Sequence, residues 1–202
     1  MVNKKKVKTA PKKKASKIIK KEEGKSKKKK ISGIFSTDFI ITEDSNEARE
    51  LYNQSRFGGF SDDGKLHISL IEAYFLLEKE KIEILDGRNK PIKTESFLKK
   101  TKKLIPNFLV KYIVYKDMRN RGYIIKTALK FGADFRVYDR GIRPGVDHAK
   151  WVLYPIHESV MLTWHEFAAK NRVAHSTKKR LLLGIVDEEM DVTYYEIKWT
   201  RP

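Results

Sequence analysis

The chain has no cysteine, which excludes a disulfide framework and any cysteine-ligated zinc. It has no apolar run approaching the roughly 18–20 residues of a membrane-spanning helix. Its first residues are Lys-rich and contain no apolar stretch of the kind a secretory signal needs. These absences predict a cytoplasmic protein with no membrane partner. No internal repeat is present. The histidines His148, His157, His165 and His175 show no H-E-x-x-H or comparable pairing, so a histidine metal site is not expected.

Acidic residues are scarce at the start. Residues 1–30 hold fifteen Lys and two Glu, which accounts for +13 of the net +18. Residues 31–202 therefore carry only +5, and the folded part is mildly basic. The Lys-rich segment lacks aromatics and is predicted to be a disordered arm that either solubilises the protein or grips RNA non-specifically, with a specific targeting role as the alternative.

Hydrophobic residues make up 40% of the 202-residue chain, enough for one large domain or two small ones. A small N-terminal α/β domain is predicted over 31–103. Its strands are 31–35, 39–41 and 82–85, and its helices are 46–54, one opened by a Ser69/Glu72 capping box, and 94–103. A second domain is predicted over 106–202. It begins with Pro106 in the first turn of a helix that runs to Arg121 and is ended by Gly122. Strands follow at 123–131, 134–140, 151–154, 181–186 and 192–199. A Thr163/Glu166 capping box opens a helix to about Lys178, and Asp187-Glu188-Glu189-Met190-Asp191 joins the last two strands.

Three side chains in this second part form a chemical set. Tyr138 precedes a Gly/Pro loop, His148 follows it, and Lys179 lies ahead of the apolar run 181–186. A phenol, an imidazole and an ammonium can cleave RNA without a metal: one takes the 2′-hydroxyl proton, one protonates the leaving oxygen, one holds the phosphorane charge. Taken singly, Tyr138 also reads as a half-buried strand tyrosine and His148 as a surface histidine. Arg172, His175, Ser176 and Lys179 recur at helical spacing, giving either a phosphate-binding face or a solvated one. Glu196-Ile197-Lys198 is an E-x-K on a strand, the pattern of metal-dependent nucleases, and it also arises by chance. The acidic turn 187–191 is either a solvated hairpin or a docking element.

The words around these residues discriminate. Tyr115-Lys116-Asp117-Met118-Arg119-Asn120-Arg121-Gly122-Tyr123, Lys130-Phe131-Gly132-Ala133-Asp134-Phe135-Arg136-Val137-Tyr138, Arg172-Val173-Ala174-His175-Ser176, Val186-Asp187 and Tyr194-Tyr195-Glu196-Ile197 resemble the catalytic domain of the archaeal tRNA-splicing endonuclease (tRNA-intron lyase) family, in its short-subunit form. Residues 31–100 resemble the smaller N-terminal domain of that family. The resemblance implies a restriction-endonuclease-like α/β domain with a central mixed sheet, and no cofactor. It implies cleavage of intron-containing precursor tRNA at a bulge–helix–bulge. Tyr138 then matches the general base, His148 the general acid and Lys179 the charge stabiliser. Arg172 matches a residue that stacks on a flipped base, and Arg201 is a candidate for the second such arginine. The resemblance further implies self-association through turn 187–191, as a homotetramer or as α₂β₂ with a structural subunit. A non-catalytic structural subunit and a plain basic RNA-binding protein are the competing readings. Both leave the Tyr138, His148 and Lys179 set unexplained.

Overall fold

The structure is a computed structural model that describes residues 30–128, 132–142, 144–145 and 147–200. The Lys-rich arm up to residue 29, Lys130, Phe131 and Arg201 lie outside the described residues.

The first half is built on a five-stranded sheet ordered β3-β4-β2-β1-β5. Its strands are β1 (Ile31–Phe35), β2 (Phe39–Thr42), β3 (Gly59–Phe60), β4 (Leu66–Ser69) and β5 (Ile82–Leu85). Helix α1 (Asn46–Ser55) is capped by the Ser45 hydroxyl, which accepts from the Ala48 amide. Helix α2 (Leu70–Glu78) opens with the predicted Ser69/Glu72 capping box, and its residues Leu70 to Leu76 are all buried. A helix buried on every side needs neighbours all round, and sheet, α3 (Thr94–Leu104) and α4 (Phe108–Asn120) supply them. Tyr74 is the hub, with ring centroids 4.6 Å from Tyr112 and 5.6 Å from Phe108.

The second half carries a mixed sheet ordered β10-β9-β8-β7-β6. Its strands are β6 (Ile124–Thr127), β7 (Phe135–Tyr138), β8 (Trp151–His157), β9 (Arg180–Val186) and β10 (Val192–Ile197). Only β8 and β9 run parallel, and α5 (Trp164–Ser176) is the crossover between them. The sheet is covered on both faces. Val137, Phe135, Leu153 and Leu182 face α4 and join one core that runs through both halves. Val152, Tyr154, Leu181 and Leu183 face α5 and form a smaller core with Ala174.

The halves also meet through polar contacts. Lys126 on β6 donates to the Gly58 carbonyl and stands 3.4 Å from the Glu72 carboxylate, both groups being buried. Arg119 on α4 donates to the Ser55 carbonyl at 2.7 Å, at the end of α1.

Several details depart from the sequence reading. Pro106 sits in the turn before α4 rather than in its first turn, because Asn107 takes a left-handed conformation (φ 54°) and the helix starts at Phe108. The short strands β3 and β4 lie outside the strands expected for the first domain. Helix α5 ends at Ser176, two residues earlier than expected. The end of α4 agrees: Gly122, at φ 87°, closes it with a Schellman motif, its amide bonding Arg119 and that of Tyr123 bonding Met118.

Candidate active site

Lys179 is positioned by the way α5 stops. Lys178 adopts φ 55°, its amide bonds the His175 carbonyl at 3.0 Å, and the Lys179 amide bonds the Ala174 carbonyl at 2.8 Å. This is a Schellman ending with Lys178 in the place glycine usually takes. Lys179 is thus not the next residue of the Arg172, His175, Ser176 helical face, as its spacing suggests. It lies past the reversal and leads directly into β9. Its ammonium donates to the Thr177 carbonyl at 2.8 Å.

Two backbone bonds then gather the site. The Lys150 amide donates to the Val137 carbonyl at 2.9 Å, and the Arg180 amide donates to the Lys150 carbonyl at 3.0 Å. Val137 precedes Tyr138, Arg180 follows Lys179, and His148 lies two residues before Lys150. The C-terminal end of β7, the start of β8 and the start of β9 are therefore tied side by side, and they bring Tyr138, His148 and Lys179 to one end of the sheet. A salt bridge of 3.1 Å between Lys150 and Asp139 spans the loop that carries His148.

The environments differ in ways that matter for chemistry. Tyr138 is 3% exposed, more buried than its sequence pattern suggests. Burial pushes its phenol above the usual value, Arg136 pulls it back down, and Tyr52 from α1 adds to the rise. Lys179 is shifted the other way: desolvation lowers its ammonium, and the Arg136 charge lowers it further. His148 is exposed. Arg136 was not singled out in the sequence, although its position two residues before Tyr138 puts both on one face of β7. Its register partner is Val152, which pairs in turn with Leu181. Those residues belong to the face that α5 covers.

Beside Lys179 is a shallow cavity of about 260 Å³, lined by Asn171, His175, Lys179, Arg180, Lys198 and Trp199 among others. Its wall is a tilted stack of His175 on Trp199, with centroids 5.0 Å apart. Sequence reasoning missed Trp199, because the strand predicted to reach it ends at Ile197. Arg172 is exposed on α5 and does not line this cavity. The E-x-K carboxylate has other work. Glu196 accepts from the Trp151 indole at 2.6 Å and from Arg180 at 3.0 Å, contacts that lower its pKa.

Comparison with known proteins places the chain in a family. Residues 31–98 match the family model described as tRNA intron endonuclease, N-terminal domain, and residues 108–194 match its catalytic C-terminal domain. The chain belongs to the tRNA intron endonuclease family. It is 40% identical over 174 residues to a tRNA-splicing endonuclease of Thermococcus onnurineus, covering 86% of this chain and 99% of that one. It is 47% identical over 141 residues to the tRNA-splicing endonuclease of Nanoarchaeum equitans, covering 67% and 90% respectively. Similarity to the Methanothermobacter thermautotrophicus tRNA-splicing endonuclease is 35% over 173 residues, 86% of this chain and 99% of the relative. The chain carries the catalytic domain of this family, and the relatives it matches over most of their length are tRNA-splicing endonucleases. Among the described residues no helix is long and apolar enough to cross a membrane.

Proposed function

We propose that this endonuclease cuts precursor tRNA at both exon–intron junctions of a bulge–helix–bulge by metal-independent transesterification. Tyr138 Oη, as the phenolate, accepts the 2′-hydroxyl proton. The freed 2′-oxygen attacks the adjacent phosphorus, the bond from phosphorus to the 5′-oxygen breaks, and protonated His148 gives its proton to that oxygen. The products are a 2′,3′-cyclic phosphate and a 5′-hydroxyl, and no water is consumed. Lys179 offsets the charge that builds on the phosphorane. Arg172, exposed on α5, stacks on an extruded bulge base.

The observation that carries this reading is the pair of backbone bonds at Lys150, which holds the strand ends bearing Tyr138 and Lys179 beside the loop bearing His148. Two splice sites need two active subunits, so the working form is a homotetramer or an α₂β₂ assembly with a structural subunit. The acidic turn supports an intermolecular role by its position. It closes β9 at Val186, whereas Lys179 lies before Arg180 at the other end, and seven strand residues span about 23 Å. The turn therefore has no part in its own subunit's chemistry. We divide the chain at about 103–106 into an N-terminal domain and a nuclease domain, preceded by the Lys-rich arm.

The test is cleavage of a model precursor tRNA by the purified chain alone, in EDTA, with the ends of the products identified. Cutting at both junctions with cyclic phosphate and 5′-hydroxyl ends is expected. Dependence on added divalent metal, or 3′-hydroxyl and 5′-phosphate ends, would overturn the mechanism.

A further inference from the structure

Arg136 lies over the ring of the candidate base Tyr138, and among the described residues no carboxylate neutralises it. A cleft of about 650 Å³ runs between the two sheets, and Lys111, Lys126 and Arg136 are the Lys and Arg side chains that line it. Lys111 pairs with Asp134 at 2.7 Å, and Lys126 pairs with Glu72 at 3.4 Å. Among the described residues no carboxylate pairs with Arg136, and its buried Nε has no hydrogen-bond partner. A lysine can relieve burial by losing its proton. A guanidinium cannot, so its desolvation has to be offset by an anion.

The surroundings say where that anion sits. The guanidinium carbon is 5.8 Å from the centroid of the Tyr138 ring. Its charge is felt at Tyr138, at Lys179 and at Lys126. Lys126 already has Glu72, and the other neighbours that feel the Arg136 charge are Tyr138 and Lys179, so the anion is placed on their side. A phosphodiester undergoing cleavage there gains a second negative charge, and a planar guanidinium fork matches two oxygens of a phosphate better than an ammonium does.

We propose that Arg136 is a further catalytic residue of this chain: its guanidinium holds a non-bridging oxygen of the scissile phosphodiester beside Lys179. This rests on the cleavage reading given above. In that mechanism Arg136 acts at the phosphorane without exchanging a proton. Its permanent charge also favours the phenolate form of Tyr138 over the neutral phenol.

The experiment uses the full chain and precursor tRNA carrying a single phosphorothioate of defined configuration at the splice site. Arg136→Gln is expected to slow single-turnover cleavage at saturating RNA by about 10²–10³-fold, the usual loss for one oxyanion donor. RNA affinity should stay within about threefold, because the phosphate backbone elsewhere dominates binding. Arg136→Lys should recover about tenfold or more, keeping the charge and losing the fork. For one sulfur diastereomer the rate penalty seen with the native chain should shrink towards unity in Arg136→Gln, where the contact that sulfur disturbs is gone, and by a smaller factor in Arg136→Lys, where the charge remains and the fork does not. A native-like rate in Arg136→Gln would refute the assignment. So would a slowed variant with both sulfur penalties unchanged, which would make Arg136 a support for the Tyr138 ring. If Arg136→Gln fails to fold, the sulfur penalties of Arg136→Lys decide the matter in the same way. Failure of the cleavage reading itself is separate: the native chain would then leave other ends on unmodified RNA.

Discussion

Replacing Tyr138 by Phe removes one oxygen and leaves the ring. The ring is 3% exposed, and among the described residues its hydroxyl makes no hydrogen bond to another side chain or to the backbone. Packing should therefore survive. The residue is buried but its oxygen is not fully so, and losing it removes only a fraction of the about 1–3 kcal/mol that a fully buried, partnerless hydroxyl costs. The folding stability of Tyr138→Phe should be unchanged or higher by up to about 1 kcal/mol. Activity should behave in the opposite way. If Tyr138 Oη is the base, its loss costs about 10²–10⁴-fold, or roughly 3–5 kcal/mol of transition-state stabilisation. The assay pairs urea denaturation with single-turnover cleavage at saturating precursor tRNA. A Phe variant that cleaves within about tenfold of the native rate would refute the base assignment, since that falls below any usual general-base contribution. A loss of activity matched by a loss of stability would assign Tyr138 to the fold rather than to the chemistry.

Other outcomes follow from the same geometry. Lys179→Ala should slow cleavage by about 10²–10³-fold while RNA affinity stays nearly native, and normal cleavage at saturation would return that ammonium to a binding role. Lys126→Met leaves the Glu72 carboxylate buried without its cation. Removing one partner of a buried pair costs about 3–5 kcal/mol, and the low end is expected because the Ser69 and Gly58 amides still bond Glu72; denaturation measures it, and a loss below about 1 kcal/mol contradicts the pairing. Tyr74, Tyr112, Tyr115, Tyr138, Tyr154 and Tyr194 all have phenols raised chiefly by burial. A raised folded pKa gives stability that is intact below the unfolded value of about 10 and is lost as pH rises through the folded values, so stability should fall between about pH 10 and 11.5; a flat profile there refutes the burial argument. Replacing Asp187, Glu188, Glu189 and Asp191 by Asn or Gln should yield dimers by light scattering and abolish splice-site cutting, whereas a tetrameric, active variant would make the turn a solvated hairpin.

Legibility in the sequence depended on whether a feature is local. The Ser69/Glu72 and Thr163/Glu166 capping boxes are both formed, because each is closed by residues three apart. Gly122 ends α4 as read, since only a residue tolerant of positive φ fits there easily. The misread points hid local conformations that the residue types do not announce. Asn107 and Lys178 both take left-handed backbone, and each moves a helix boundary. Lys178 did the most damage to the reading, because it takes Lys179 off a helical face and hands it to β9. The three-residue chemical set was visible from residue types and family words, but its assembly was not. It depends on Lys150 bonding two neighbouring strands, contacts separated by 13 and 30 residues that no short pattern encodes. Arg136 escaped notice for the same reason: what marks it is that, among the described residues, its buried Nε has no hydrogen-bond partner, which only the packed structure reveals.

The electrostatics of the site make a further demand on those residues. Burial favours the neutral forms of both Tyr138 and Lys179, raising one and lowering the other. Entry of a phosphodiester changes the balance unequally. Its negative charge restores the lysine towards the ammonium, which is the form that stabilises a phosphorane. The same charge drives the phenol still further from the phenolate, which is the form that accepts a proton. In the proposed mechanism, substrate binding therefore activates Lys179 and opposes Tyr138. A fixed positive charge beside the phenol is what reconciles the two, and it has to be one that burial cannot discharge. Arg136 is such a group, two residues away on the same strand face. The proposed mechanism thus asks for what Arg136 offers: a buried tyrosine that is to act as base next to an incoming anion is helped by a permanent cation at its ring.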